Sequence, residues 1–202
     1  MTGTRRLVLA SASPARLALL RQAGLAPEVV VSDVDETTVT APRVAERVAL
    51  LASAKASAVA AREEDALVVG ADSLLEFRGQ PMGKPADAAE ARERWRRMSG
   101  RSGVLHTGQA LLDVRGGVVE SRDVVVTSTV VYFATPTAAE VEAYLATGEP
   151  LAVAGAFTLD GLGAPFVRRV EGDPASVVGL SLAALREQLR RRGLTVTDLW
   201  RR

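Results

Sequence analysis

The strongest constraint on the fold is a short, uninterrupted apolar run, Ala66 to Ala71, that ends in Asp72-Ser73. An apolar run without alternation suits a strand buried on both faces, and such strands belong to sheets that carry helices on either side. A carboxylate directly after the run emerges at the strand's carboxyl end, where open α/β sheets place their ligands.

The flanking sequence supplies the helices. Leu7 to Ala10 reads as a strand that passes through Ser11-Ala12-Ser13-Pro14 into an amphipathic helix ending near Gly24. Ser13 suits the N-cap, Pro14 the first helical position and Gly24 the stop. A strand is expected over Glu28 to Ser32, then an alanine-rich helix from Pro42 to about Arg62. Leu74 to Phe77 leads to a turn at Arg78-Gly79-Gln80, and a charged helix runs from about Ala86 to Met98. His106 to Val114 and Val118 to Phe133 flank Gly116-Gly117 and predict a hairpin. A helix after Pro136 stops near Gly148, a strand spans Pro165 to Val170, and a final helix covers about Leu182 to Arg192. Early alternation of strand and helix, with a hairpin in the middle, predicts a mixed α/β sheet. With no internal repeat or linker, residues 1–202 read as one domain.

Composition removes several classes of function. The 202 residues are 48% hydrophobic, enough for a sizeable core. Lys+Arg 25 against Asp+Glu 24 gives +1, so no overall basic field favours nucleic acid. Cys 0 excludes disulfides, thiolate metal sites and a cysteine nucleophile, and the sole histidine, His106, excludes multi-histidine zinc sites. His106 itself reads as structural, at a strand start. Arg5-Arg6 before Leu7 to Ala10 is too short to be an export signal, and no segment approaches the ~18 apolar residues that span a bilayer, so a cytoplasmic, membrane-free protein is expected.

The lysines stand out because there are only two, Lys55 and Lys84. Where arginine has taken almost every basic position, a retained lysine either survives by chance or marks a place where a compact ammonium and a planar guanidinium differ. Lys84 sits in the constrained turn Gly83-Lys84-Pro85, which also suits a solvated loop, and Lys55 suits the polar face of its helix. Ser11, Ser13, Arg16 and free amides at a helix start form the parts of a phosphate cradle, or an ordinary capped helix with Arg16 in solvent. Asp72 fits a metal ligand or a base that orients water, or a turn-capping aspartate. Asp33, Asp35 and Glu36 can add a metal ligand or remain a solvated loop. No Walker motif is present, and Gly155, Gly161 and Gly163 lack the dinucleotide fingerprint. An RNA-binding surface around Arg94 to Arg97 is disfavoured by nearby Glu90 and Glu93 and by Trp95 standing alone.

Taken in order, these pieces form a pattern. Leu7-Val8-Leu9-Ala10-Ser11-Ala12-Ser13-Pro14, Val34-Asp35-Glu36, Lys55, Ala71-Asp72-Ser73, Gly83-Lys84-Pro85, Ser99-Gly100-Arg101, His106-Thr107-Gly108, Gly148-Glu149-Pro150, Ala154-Gly155-Ala156 and Val178-Gly179-Leu180 together resemble the Maf family of nucleoside triphosphate pyrophosphatases. The resemblance spans nearly the whole chain. It implies a Maf fold, similar to inosine triphosphatases: a mixed twisted sheet with flanking helices, in two lobes around a cleft. It also implies hydrolysis of a nucleoside triphosphate between the α and β phosphates, with a divalent metal, Mg²⁺ or Mn²⁺. The implied roles are Asp72 as general base and metal ligand, Glu36 as metal or water ligand, Lys55 and Lys84 as phosphate ligands, and Ser11 with Arg16 as the triphosphate cradle. A homodimer is typical of the family.

Three positions depart from the family's pyrimidine-preferring branch: Ala15 where a second arginine follows Ser-Pro, Ser73 where threonine follows the aspartate, and Asp160 where the glycine-rich loop has glutamine. An acidic residue at the last position resembles the branch that acts on 7-methyl-GTP, and base preference stays open. The resemblance also admits a nucleotide-binding regulator of cell division or septum formation with little turnover, although the combination of Asp72, Glu36, Lys55 and Lys84 favours an enzyme.

Overall fold

The computed structural model describes residues 5–200. Strand β1 is Leu7–Leu9, wholly buried, and helix α1 is Pro14–Gln22. Ser13 caps α1 by accepting the Arg16 amide at 3.4 Å, and Gly24 turns the chain away at φ +81°. Strand β2, Glu28–Val29, is shorter than the expected Glu28 to Ser32. Its partner explains this: β1 pairs with it in parallel only as far as Leu9↔Val29, so the ladder ends where β1 ends. Helix α2 is Val44–Ala60.

The apolar run at Ala66 is the first half of one 12-residue strand, Ala66–Phe77 (β3), which corrects the expected break at Asp72-Ser73. β1 supports only its start, through Leu7↔Leu67 to Leu9↔Val69, while Gln80–Met82 (β4) pairs antiparallel with Leu75 to Phe77. Asp72 therefore lies beyond the parallel ladder but inside the strand. Arg78 at φ +51° and Gly79 at φ +74° make the two-residue turn that joins β3 to β4.

Helix α3 is Ala88–Met98. The hairpin arms are longer than expected, Ser102–Arg115 (β5) and Val118–Phe133 (β6), and Gly116 and Gly117 form its turn at φ +54° and +76°. Helix α4 is Ala138–Ala146. Strand β7 is Val167–Glu171, delayed from Pro165 because Ala164–Phe166 forms a 3₁₀ turn. A short helix not anticipated from sequence, α5 at Pro174–Val178, precedes α6, Leu182–Arg190, which stops short of the expected Arg192. Strand order is β2-β1-β3-β5-β6-β7, with β4 on β3, and both parallel and antiparallel pairs occur, so the sheet is mixed as expected. Among the described residues no helix is long and apolar enough to cross a membrane.

Contacts divide the chain into two compact units. The first holds the chain up to Asp72, Thr107–Thr127 and everything from Gly179. Its strands bury alternate residues on opposite faces: Leu7, Leu9, Leu67 and Val69 pack with Leu20 of α1 and Leu185 and Leu189 of α6, whereas Val8, Val68, Ala110 and Leu112 pack with Ala52, Ala56 and Val59 of α2. The backbone of α2 lies directly on two glycines. A Cβ on Gly70 would fall 2.6 Å from the Ala52 carbonyl oxygen, and one on Gly108 would fall 2.1 Å from that of Val48.

The second unit is Ser73–His106 with Ser128–Val178. Trp95 is its centre: Nε1 donates to the Ala156 carbonyl at 2.9 Å, and the ring meets Phe133, Tyr144 and Phe166 edge-on at centroid distances of 5.8, 6.0 and 5.7 Å. Thr137 opens α4 with a reciprocal capping box to Glu140. Thr137→Ala should cost about 1 kcal/mol of stability, read as a lowered urea midpoint with an unchanged denaturant slope.

Candidate active site

Alternation along β3 puts Asp72 on the same face as Val68 and Gly70, the face that α2 covers. Along α2 the buried positions are Val44, Val48, Leu51, Ala52, Lys55, Ala56, Val59 and Ala60, so Lys55 belongs to the buried stripe and not to the polar face. The two side chains meet. Lys55 Nζ donates to Asp72 Oδ1 at 2.6 Å, and Asp72 is only 6% exposed. Glu36 Oε1 lies 2.6 Å from the same ammonium. A buried cation thus has two carboxylate partners, which satisfies a charge that would otherwise be costly to bury.

The acidic segment before α2 separates into distinct roles. Asp35 caps the 3₁₀ turn Glu36–Thr38, accepting from the Thr37 amide at 3.0 Å and its hydroxyl at 2.7 Å. The turn so fixed aims Glu36 at Lys55, while Asp33 is exposed at φ +53°.

Arg16, at the third position of α1, is buried, which sets aside its reading as a solvent-facing side chain. Its Nε donates to the Gly179 carbonyl at 2.8 Å and its Nη1 to Ser11 Oγ at 3.0 Å, and Ser11 Oγ also accepts the Ser13 amide at 3.2 Å. Gly179, at φ +131°, is where a Cβ would press to 3.0 Å from Arg16 Nε.

Electrostatics ties these groups together. Burial pulls the Arg16 guanidinium below its ordinary value, with Asp72 and Glu36 acting the other way. Burial pushes Asp72 above the usual carboxylate range, against the charge and hydrogen bond of Lys55 and the charge of Arg16. A carboxylate with a raised pKa, one oxygen anchored and Oδ2 in no hydrogen bond among the described residues, has the character of a general base.

Ser11, Arg16, Glu36, Lys55 and Asp72 all belong to the first unit and are brought together there. Ala15 is half-buried in the first turn of α1, and Ser73 follows Asp72, half-buried, as the first residue of the second unit. Lys84 and Asp160 belong to that second unit, and both are exposed. The Lys84 turn is braced through Gly83, whose carbonyl accepts from the Gly155 amide at 3.1 Å and Arg94 Nη1 at 2.5 Å. No group of three or more histidine, cysteine or acidic side chains gathers for a metal among the described residues. Glu36 and Asp72, each with one oxygen on Lys55 Nζ, are the carboxylates that a divalent cation could use here, since Mg²⁺ takes one or two protein carboxylates and completes its shell with phosphate and water.

Two contributors entered the sequence reading only as motif residues with no role assigned. The Gly179 carbonyl holds Arg16, although Val178-Gly179-Leu180 gave no sign of its partner. Glu149 organises the glycine-rich loop: Oε1 accepts from Tyr144 Oη at 2.9 Å, Thr158 Oγ1 at 2.6 Å and the Gly163 amide at 3.1 Å, and Oε2 accepts the Leu162 amide at 3.0 Å. His106 lies within β5, not at its start, bonded to Ser128 Oγ at 2.8 Å and Glu76 Oε2 at 3.1 Å.

The model of the family described as Maf-like protein matches residues 6–192. A Streptomyces coelicolor protein named nucleoside triphosphate pyrophosphatase is 58% identical over 199 residues, which cover 97% of this chain and 95% of that protein. A Salinispora tropica protein of the same name is 55% identical over 202 residues, 98% of this chain and 88% of its own. Among solved structures, a HAM1 protein from Coxiella burnetii aligns over 65% of this chain and 74% of that one, with 18% identity and a TM-score of 0.44.

Proposed function

Because the chain belongs to the Maf family, we propose that it is a nucleoside triphosphate pyrophosphatase whose working base is Asp72. The observation that carries this reading is the buried Asp72 carboxylate anchored through one oxygen to Lys55, which Glu36 also holds. The family match extends over residues 6–192, which supports taking 1–202 as a single Maf domain.

In this reading Asp72 Oδ2 accepts a proton from water as the water oxygen bonds to a phosphorus of the α–β anhydride. The bridging P–O bond breaks, and nucleoside monophosphate and pyrophosphate leave. Charge neutralisation and positioning carry most of such a reaction, since phosphoryl transfer demands little covalent chemistry from the protein. Lys55 fixes the base and supplies positive charge, and Arg16, oriented by Gly179 and Ser11, adds a planar donor set suited to phosphate oxygens. Glu36 and Asp72 would hold a divalent cation, Mg²⁺ or Mn²⁺, which when bound neutralises phosphate charge. The family resemblance supports a phosphate contact from Lys84 and a part in base choice for Ala15, Ser73 and Asp160. Asp160 matches the branch acting on 7-methyl-GTP, so methylated guanine nucleotides belong among the substrates tried. A nucleotide substrate fits a cytoplasmic setting.

The test is product analysis with Mg²⁺ or Mn²⁺ across standard and methylated nucleoside triphosphates. One monophosphate and one pyrophosphate per turnover are expected, and Lys55→Gln should lower kcat by about 10², the scale of losing one electrostatic stabiliser. Nucleoside diphosphate and orthophosphate as products would overturn α–β cleavage.

A further inference from the structure

Helix α3 carries Glu93, Arg96 and Arg97 three and four residues apart, hence on one face. With Arg78 from the β3–β4 turn and Arg101 just past the helix, they line a surface cavity of about 410 Å³ lying wholly within the second unit. Arg101 is fixed through its backbone, its amide donating to the Met98 carbonyl at 2.9 Å and its carbonyl accepting from the Phe133 amide at 2.8 Å. The guanidinium carbons of Arg78 and Arg97 stand 5.6 and 5.8 Å from the centre of one ring, Phe77, which is 1% exposed.

Charge at this wall is unbalanced. Arg96 is taken up by Glu93 through two hydrogen bonds of 2.7 Å. Among the described residues no ion pair engages Arg78, Arg97 or Arg101, whereas Arg6, Arg92 and Arg191 each reach a carboxylate. Four guanidinium groups therefore face one carboxylate around a cavity of small-molecule size. Planar guanidinium forks match the oxygens of phosphate in pairs, and clustered unpaired ones favour a multiply charged anion. Nucleic acid fits less well, because Phe77 lies beneath its arginines and offers no face on which a base can stack.

We propose that this cavity is a second anion site, separate from the residues around Asp72, and that it takes a pyrophosphate group, either free or as the tail of a nucleotide. The proposal stands whether or not Asp72 is the base, since it concerns binding at other residues.

Backbone amide shifts during titration with inorganic pyrophosphate test it. Saturable shifts are expected at Gly79, Gly100 and Arg101, at least tenfold weaker in affinity in the Arg97→Gln/Arg101→Gln chain and weakened also by Arg101→Gln alone, with distant amides unmoved as the sign of an intact fold. Equal affinity in native and variant chains, or shifts confined to Ser11–Arg16 and Asp72, would overturn the site. A non-hydrolysable α,β-methylene triphosphate that moves the same amides at lower concentration than pyrophosphate identifies the nucleotide tail as the source, and the reverse order identifies free pyrophosphate. Single-stranded RNA that moves them at lower concentration than either would overturn the small-anion assignment. Failure of this site leaves turnover at Asp72 untouched, and loss of turnover leaves these shifts in place, so the two readings fail separately.

Discussion

Asp72→Asn should reduce pyrophosphate release by about 10³, the scale of losing a positioned base, while the melting temperature in metal-free buffer at pH 8 stays at or above that of the native chain. The sign follows from burial. Asp72 is pushed above the ordinary carboxylate range, so its effect on the fold is favourable at pH values below its unfolded pKa and is lost as pH rises through its folded value. Above that point the native chain carries a buried charge that asparagine lacks. The amide oxygen of asparagine still accepts from Lys55, and Glu36 still balances the ammonium. The variant's advantage in melting temperature should therefore vanish at acid pH and grow as pH rises. Unchanged turnover would move the base elsewhere, and a fall of many degrees would make Asp72 a structural residue.

Gly108→Ala should cost about 3 kcal/mol, which for a chain of this size lowers the melting temperature by about 6 to 12 °C in a thermal scan. The added Cβ would meet the Val48 carbonyl carbon at 2.4 Å and the Ala49 nitrogen at 2.8 Å as well as the carbonyl oxygen. These are backbone atoms of a helix and cannot rotate aside, so α2 must lift. Lys55 rides on that helix, so turnover should fall alongside stability. A melting temperature within a degree of native would show that α2 tolerates displacement.

Much of this was legible in the sequence, for local reasons. Ser13, Pro14 and the Gly116-Gly117 pair encode their structures within a few residues, and the run from Ala66 announced a strand buried on both faces. Both surviving lysines drew attention by composition, and Lys55 does lie between carboxylates. What sequence concealed is non-local or depends on pairing. Asp72-Ser73 looks like a strand end because polar residues interrupt an apolar run, and only the ion pair across to α2 shows why a charge continues inside β3. The end of β2 is set by where β1 stops, and Arg16 by a carbonyl 163 residues away. Neither partner is visible from the residue's own neighbourhood.

The loop anchored by Glu149 divides what must be kept from what is free to drift. Its four bonds fasten Tyr144, Thr158, Leu162 and Gly163, and a Cβ on Gly163 would strike Tyr144 Oη at 2.4 Å, so those positions form a frame with little tolerance for exchange. Asp160 stands exposed within that frame, and no bond of the frame uses its side chain. A substitution at this one position would change the side chain that the loop presents while leaving those four bonds in place.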